Sequence, residues 1–370
     1  MATINYLTRI EFDEGLASRL PDFCRELGMA RPLLVTDAGL TTLGLTARIA
    51  GLFQESPPVY DGTPANPIEA AVLEALAHYK AEGCDGVLAV GGGSSLDLAK
   101  AVRLLAVHEP PLARYAAVEG GVARIAGPLP PMIAAPTTAG TGSEVGRGAV
   151  IIMADGRKLG VLSPLLLPSL AVCDPALTYG LPPLLTAATG LDALAHCLET
   201  FMAPAVNPPA DAIALDGLAR GYGALRKAVA DGRDRQARWD MMMAALEGAM
   251  AFQKGLGAVH ALSHPLGALK GLTLHHGTLN AVLLPAVLRF NRAAIGPKWD
   301  RLAVLLGGAP DEQVARLNGD LGLPPGLGAM GVSAAALPAV AAAAMKDHCH
   351  ATNPRRASEA EYFALLQEAF

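Results

Sequence analysis

GVLAVGGGSSLDLAKAVRLLA, residues 86–106, decides the fold class. An apolar run of strand length ends in three consecutive glycines, and a helical stretch follows at once. PLLVTDAGL at 32–40 and PMIAAPTTAGTGSEVG at 131–146 likewise carry an apolar strand into a polar or Gly-rich turn. Three strand-turn-helix units are therefore expected. Strands alternating with helices imply a mostly parallel sheet covered on both faces, with ligands at the carboxyl ends of the strands. Upstream, MATINYLTRIEFDEG alternates like a strand and lacks the basic, apolar and small-residue series of a signal peptide. Downstream, the segment from Val150 to Leu162 reads as a hairpin turning at Asp155-Gly156.

The turns carry the binding chemistry of this half. Gly91, Gly92 and Gly93 lack Cβ atoms, so with Ser94 and Ser95 they let backbone N–H groups approach a pyrophosphate at the start of a helix. The same glycines also suit a plain tight turn. Thr137, Thr138, Thr141 and Ser143 put hydroxyls on a second turn, as cofactor donors or as loop and cap residues. Two such turns on one sheet edge favour a dinucleotide site. Asp37, at the end of PLLVT, can accept from an adenosine 2′-hydroxyl and repel a 2′-phosphate, which favours NAD over NADP; an Asx turn before Gly39 is the other role open to it. Lys158 on the hairpin can reach a cofactor phosphate or ribose, or stand as a solvated charge.

Leu181-Pro182-Pro183 is the clearest boundary, since two prolines interrupt any element. It divides the chain into an α/β dinucleotide-binding domain, 1–180, and an all-α metal-binding domain, 181–370. The second half is Ala- and Leu-rich with helical periodicity and no strand pattern. Seven of the nine histidines lie there. In TGLDALAHCLETF, Asp192 and His196 are four apart, and in GLGAVHALSHPLGALKGLTLHHGTLN His260 and His264 repeat the interval before His276. A helix brings i and i+4 onto one face about 6 Å apart. One carboxylate with imidazoles suits Fe²⁺ or Zn²⁺ better than Mg²⁺ or Ca²⁺, which prefer oxygen shells. His276 is preferred to the adjacent His275 because it precedes Gly277 at the start of a further buried helix. His264, one turn beyond His260, suits substrate contact or proton relay. Glu199 is either an orienter of a ligand histidine or a surface charge.

Length and composition bound the alternatives. At 370 residues two domains are the default. The chain is 52% hydrophobic and only 17% charged, which implies large buried helices, yet no long apolar run lacks Pro, Gly or charge, so a membrane span is not expected. A net charge of −5 without a basic block argues against nucleic acid. Cys24, Cys84, Cys173, Cys197 and Cys349 are odd in number and without C-x-x-C spacing, as in a cytoplasmic protein with reduced thiols. A small-molecule enzyme is the natural reading.

Together these segments resemble the iron-containing (group III) alcohol dehydrogenase family, whose relatives include glycerol dehydrogenase, maleylacetate reductase and, more distantly, dehydroquinate synthase. The resemblance covers nearly the whole chain: Asp37, GGGSSLDLAK at 91–100, PTTAGTGSE at 136–144, DPALT at 174–178, GLDALAHCLE, HALSHPLG at 260–267, HGTLN at 276–280 and DHCHATNPR at 347–355. It implies the dehydroquinate synthase-like two-domain fold, a homodimer, Fe²⁺ (or Zn²⁺) on Asp192, His196, His260 and His276, His264 as the nearby relay, and NAD(H) on the Gly and Thr turns, Asp97 of GGGSSLDLAK included. The implied reaction is reversible hydride transfer between nicotinamide and the carbonyl of an alcohol/aldehyde pair. A dehydroquinate synthase-like lyase or cyclase should carry more basic residues than these ligand helices do, and a non-catalytic binding protein would leave metal site, relay and cofactor turns without a purpose. The chain departs from the family pattern in two places. The spacing from His264 to the HG histidine is longer by about two residues, and Val-Gly-Arg-Gly follows Glu144, placing Arg147, with Lys270 as a weaker partner, where it could meet an acidic aldehyde or lie outward as a solvated charge.

Overall fold

A computed structural model describes residues 8–370. Its strands are β1 (Arg9–Phe12), β2 (Pro32–Val35), β3 (Val59–Tyr60), β4 (Gly86–Gly91), β5 (Met132–Pro136), β6 (Gly148–Ile152), β7 (Lys158–Leu162) and β8 (Leu170–Cys173). Six form one sheet in the order β1-β8-β5-β4-β2-β3, parallel throughout. The central strands are buried along their whole length, and successive residues feed opposite faces. Leu33, Val35, Val87, Ala89, Met132 and Ala134 enter one apolar cluster, and Leu34, Leu88, Val90, Ile133 and Ala135 enter the other. A sheet covered on both faces needs this pattern, which is why its strands read as continuous apolar runs.

Helices α1 (Leu20–Glu26), α2 (Ala38–Thr42), α3 (Leu45–Ala50), α4 (Glu69–Ala81) and α5 (Gly93–Leu105) belong to the same unit. Strands β6 and β7 pair separately as the expected hairpin, with Gly156 at a left-handed φ of 84° in its turn. The third strand-turn-helix unit is a correction. β5 is followed by turns and bends to Arg147 rather than a helix, because Gly140, Gly142 and Gly146 interrupt the segment and Gly142 takes a φ of 64°. The N-terminal strand is β1; the first seven residues lie outside the described part.

Among the described residues this unit runs to Thr138 and resumes over Gly142–Tyr179; the second comprises Gly180–Phe370 with Ala139–Thr141. The segment Ala139–Thr141, inside the stretch assigned from sequence to the first domain, thus groups with the second. The helices of that unit are α6 (Pro183–Met202), α7 (Pro208–Ala230), α8 (Arg235–Ala251), α9 (Ala258–Gly267), α10 (His276–Ile295), α11 (Pro297–Leu306), α12 (Pro310–Asp320), α13 (Leu337–Ala344) and α14 (Glu359–Glu368), and none of its described residues forms a strand. α6 is the axis. It packs against α7, α8 and α10, and every residue from Thr186 to Met202 is buried. Glycines permit the close approach: a Cβ on Gly221 would press into Leu194, and one on Gly248 would stand 3.1 Å from the His196 Cβ. Among the described residues no helix is long and apolar enough to cross a membrane.

Candidate metal centre and cofactor turns

A carboxylate carried into the middle of a buried helix must find partners there. Asp192, His196 and Glu199 are all buried on α6. The Oδ1 atom of Asp192 lies 3.7 Å from His196 Nε2, 3.8 Å from His260 Nε2 and 3.8 Å from His276 Nε2. Donors sharing one cation at about 2.0–2.2 Å are separated by about 3.3–3.6 Å in tetrahedral geometry; Asp192, His196 and His260 each bring one donor atom within 4.8 Å of the others, and His276 joins them through its approach to Asp192. Burial pushes the His196 imidazole down to about 4 and keeps it neutral, the form a ligand needs. His260 is held from behind: its Nδ1 meets Glu199 Oε2 at 2.6 Å while Glu199 Oε1 accepts from Val259 N at 2.7 Å. With Nδ1 so engaged, the Nε2 lone pair is turned to the centre. Glu199 is thus an orienter and not a surface charge.

Three helices converge because of small residues at their ends. A Cβ on Gly277 would overlap the Ala188 carbonyl oxygen and sit 3.2 Å from the Asp192 Cβ, so only glycine lets α10 begin against α6 with His276 in place. A Cβ on Gly257, just before α9, would stand 2.8 Å from Glu199 Oε1. His276 rather than His275 faces Asp192; the His275 ring accepts from Thr278 N and caps α10. His264 is not among the converging donors. It stacks on His276 at 5.5 Å, and its Nδ1 meets Asp347 Oδ2 at 2.8 Å. Burial works against the Asp347 carboxylate, but the charge and hydrogen bond of His264 outweigh it and hold the group well below the usual carboxylate range.

Asn280 and Asp347 escaped the reading of the sequence. The Asn280 amide nitrogen donates to Asp192 Oδ1 at 2.7 Å and lies 3.3 Å and 3.2 Å from the Nε2 atoms of His260 and His276, at the focus of the donor set. Its position one turn after His276 on α10 was an available signal. Asp347 had none, because 83 residues separate it from His264.

In the sheet unit, the chain leaves β2 for β3 on one side and from β4 proceeds to β5 on the other, so the strand order reverses between β2 and β4, where open α/β sheets bind ligands. Asp37 and the glycine turn stand there together. Asp37 Oδ1 caps α2 by accepting from Leu40 N, and a Cβ on Gly91 would lie 3.7 Å from Oδ2. Gly92 starts α5 without a side-chain cap, and a Cβ on it would meet Thr138 at 3.4 Å, a cradle that suits a close-approaching phosphate. Thr137 N donates to Gly91 O at 3.0 Å, joining the two turns. Ser95 is buried behind Gly91, while Ser94 Oγ donates to Ala65 O and Lys158 Nζ to Asn66 Oδ1, both on one neighbouring loop. Thr141 belongs to the segment that groups with the helices. Asp97 and Ser143 depart from expectation. Asp97 accepts from Ser143 Oγ at 2.6 Å and from Val150 N at 2.9 Å, and Ser143 also accepts from the buried Lys100, so both carboxylate oxygens are committed inside the unit and buttress the loop after β5.

Residues 8–175 match the iron-containing alcohol dehydrogenase family, and residues 186–370 match the C-terminal family of the Fe-containing alcohol dehydrogenases. The chain belongs to the iron-containing alcohol dehydrogenases. It is 55% identical to a 4-hydroxybutyrate dehydrogenase of Cupriavidus necator, with 100% of each chain covered. Among solved structures it is similar to a 1,3-propanediol oxidoreductase (36% identity, TM-score 0.94, 100% of both chains) and to a sulfoacetaldehyde reductase of Bifidobacterium kashiwanohense in complex with NAD⁺ (25% identity, TM-score 0.89, 100% of this chain and 98% of that one). The α/β sheet unit with its helical partner is this family's fold, and the chain is an NAD-dependent oxidoreductase interconverting an alcohol and an aldehyde. The lyase and non-catalytic readings fall with that membership. A family metal, usually iron, and NAD go with it.

Proposed function

We propose that the chain interconverts an ω-hydroxycarboxylate and its semialdehyde, 4-hydroxybutyrate and succinic semialdehyde in the first instance, with NAD(H). The observation that carries this reading is the 55% identity over the whole length to a 4-hydroxybutyrate dehydrogenase. Asp192, His196, His260 and His276 would hold Fe²⁺, with Zn²⁺ as the alternative their nitrogen-rich set also accepts. When bound, the cation supplies Lewis acidity to the carbonyl or alkoxide oxygen, and the nicotinamide supplies or takes the hydride. The residues of the chain do the rest. The Gly91-Gly92-Gly93 turn, with Ser94, Ser95, Thr137 and Thr138, binds and orients the dinucleotide, and Thr141 is a further donor to it; Asp37 selects against a 2′-phosphate; Lys158 adds a positive charge beside Asn66. His264, with Nδ1 fixed by Asp347, keeps Nε2 for moving the alcohol proton. Arg147 is exposed at the start of the hairpin and offers the substrate carboxylate a charge-assisted partner. The protein acts as a homodimer in the cytoplasm, to be checked by sedimentation and fractionation.

The test is kcat/KM for succinic semialdehyde against butyraldehyde with NADH, in wild type and in Arg147→Ala. Losing one charge-assisted hydrogen bond is worth about 1.5–3 kcal/mol, so the preference for the acid should fall tenfold or more in the variant. Butyraldehyde preferred by the wild type would end the semialdehyde reading; an unchanged ratio in the variant would remove only the arginine from it.

A further inference from the structure

A second cluster of metal-type donors lies beside the centre just described, on other side chains. His264 lies in the last turn of α9, and Asp347, His348 and Cys349 are consecutive at the start of a short 3₁₀ helix, His348–Thr352, that packs against α9. Asp347 caps that helix through Oδ1, which accepts from Cys349 N at 2.8 Å, and turns Oδ2 to His264 Nδ1 at 2.8 Å. Cys349 Sγ is 3.4 Å from His348 Nε2, and His348 Nδ1 is 3.6 Å from Asp347 Oδ1. The His264 and His348 rings stack at 5.7 Å. One donor atom from each of the four residues lies within 4.8 Å of the others.

We propose that His264, Asp347, His348 and Cys349 form a second divalent-cation site, suited to zinc, that competes with the His264–Asp347 hydrogen bond. Tetrahedral zinc with bonds of about 2.0–2.3 Å needs its donors about 3.3–3.8 Å apart, so one donor atom from each residue, now within 4.8 Å of the others, would close by about 1 Å to form that shell. Two imidazoles, one carboxylate and one thiol make a four-donor shell, and the thiol sets it apart from the Asp192 centre, which has none. Thiolate is a soft ligand that favours zinc, and zinc also stands above ferrous iron in the general affinity order, so the site discriminates against the metal of the family. Binding is not a redox step: the Cys349 thiol gives its proton to solvent as sulfur takes the metal. Three donors are drawn from protected positions, while His348 is exposed and forms the accessible side of the cluster.

The experiment loads the intact protein with Co²⁺ and, separately, with Zn²⁺, counts bound metal per chain, and follows the near-ultraviolet thiolate-to-cobalt charge-transfer band. Wild type should bind two ions and show the band with the second. His348→Ala, at an exposed position, should bind the second ion at least tenfold more weakly, and Cys349→Ser should lose the band. On the reading of His264 as proton relay, zinc beyond one equivalent should inhibit the iron-loaded enzyme, and the half-inhibiting concentration should rise at least tenfold in His348→Ala. A single bound ion in wild type, or a band that survives in Cys349→Ser, would overturn the site. Two ions and the band without inhibition would leave the site standing and remove the competition with the relay, independently of which aldehyde is reduced.

Discussion

Glu199 shows how much a single side chain decides in this protein. Its two oxygens are spent on the Val259 amide and the His260 imidazole, so the carboxylate fixes both the start of α9 and the tautomer of a proposed metal ligand. Glu199→Gln should weaken metal affinity about 10–100-fold with little change in overall fold, read by chelator competition. An unchanged affinity would mean that packing alone orients the ring. Gly277 acts by absence. Because an added methyl would run into the Ala188 carbonyl, Gly277→Ala should displace the first turn of α10 and with it His276. Metal content should drop well below one ion per chain, and turnover with it; full occupancy in the variant would show that α10 can shift without cost to the site.

Elements in the sheet unit are tied by a buried polar core rather than by apolar packing alone. Lys100 of α5 donates to Ser143 Oγ, Gly146 O and Gly148 O, each at 2.8 Å, and so fastens the helix to the loop that follows β5. Glu144 lies buried in that loop, where desolvation pushes its carboxyl up to about 7. A carboxyl whose folded value exceeds its ordinary 4.5 is protonated in the folded state when the unfolded chain has already ionised. Stability from this group is therefore greatest below about 4.5 and falls as pH rises toward 7, by on the order of 3 kcal/mol. Glu144→Gln should remove that loss: urea midpoints of wild type and variant should be close at pH 5 and diverge by pH 8, with the variant the more stable. Parallel curves at both pH values would refute it. The expected helix after β5 failed at this same place, because glycines suited to a turn outweigh the helical reading of a short polar stretch.

At the scale of the molecule, each unit carries its own proposed ligand residues: α6, α9 and α10 hold the proposed metal donors, and the ends of β2, β4 and β5 hold the proposed dinucleotide turns. A ligand that binds only the folded state stabilises by about 2.7 kcal/mol at a hundred times its dissociation constant. Metal loading should therefore slow amide hydrogen exchange chiefly in α6, α9 and the start of α10, and NAD⁺ chiefly around Gly91–Ser95. Protection by metal confined to the sheet unit would contradict the donor assignment. Much of this was legible beforehand. Apolar runs closed by glycine turns wrote out the parallel sheet, the paired prolines at 182–183 stand at the start of α6, and the i,i+4 spacing singled out Asp192 with His196 and His260 with His264 as candidates, since backbone geometry alone puts such residues on one helical face. Tertiary structure decided what spacing cannot encode. It turned His276 to Asp192 and left His275 to cap α10, turned Asp97 and Ser143 inward, gave Glu199 to His260, and joined His264 to Asp347 across 83 residues. Those choices depend on which helix surfaces meet and on how a buried charge finds its partner, and neither is fixed until the chain has closed on itself.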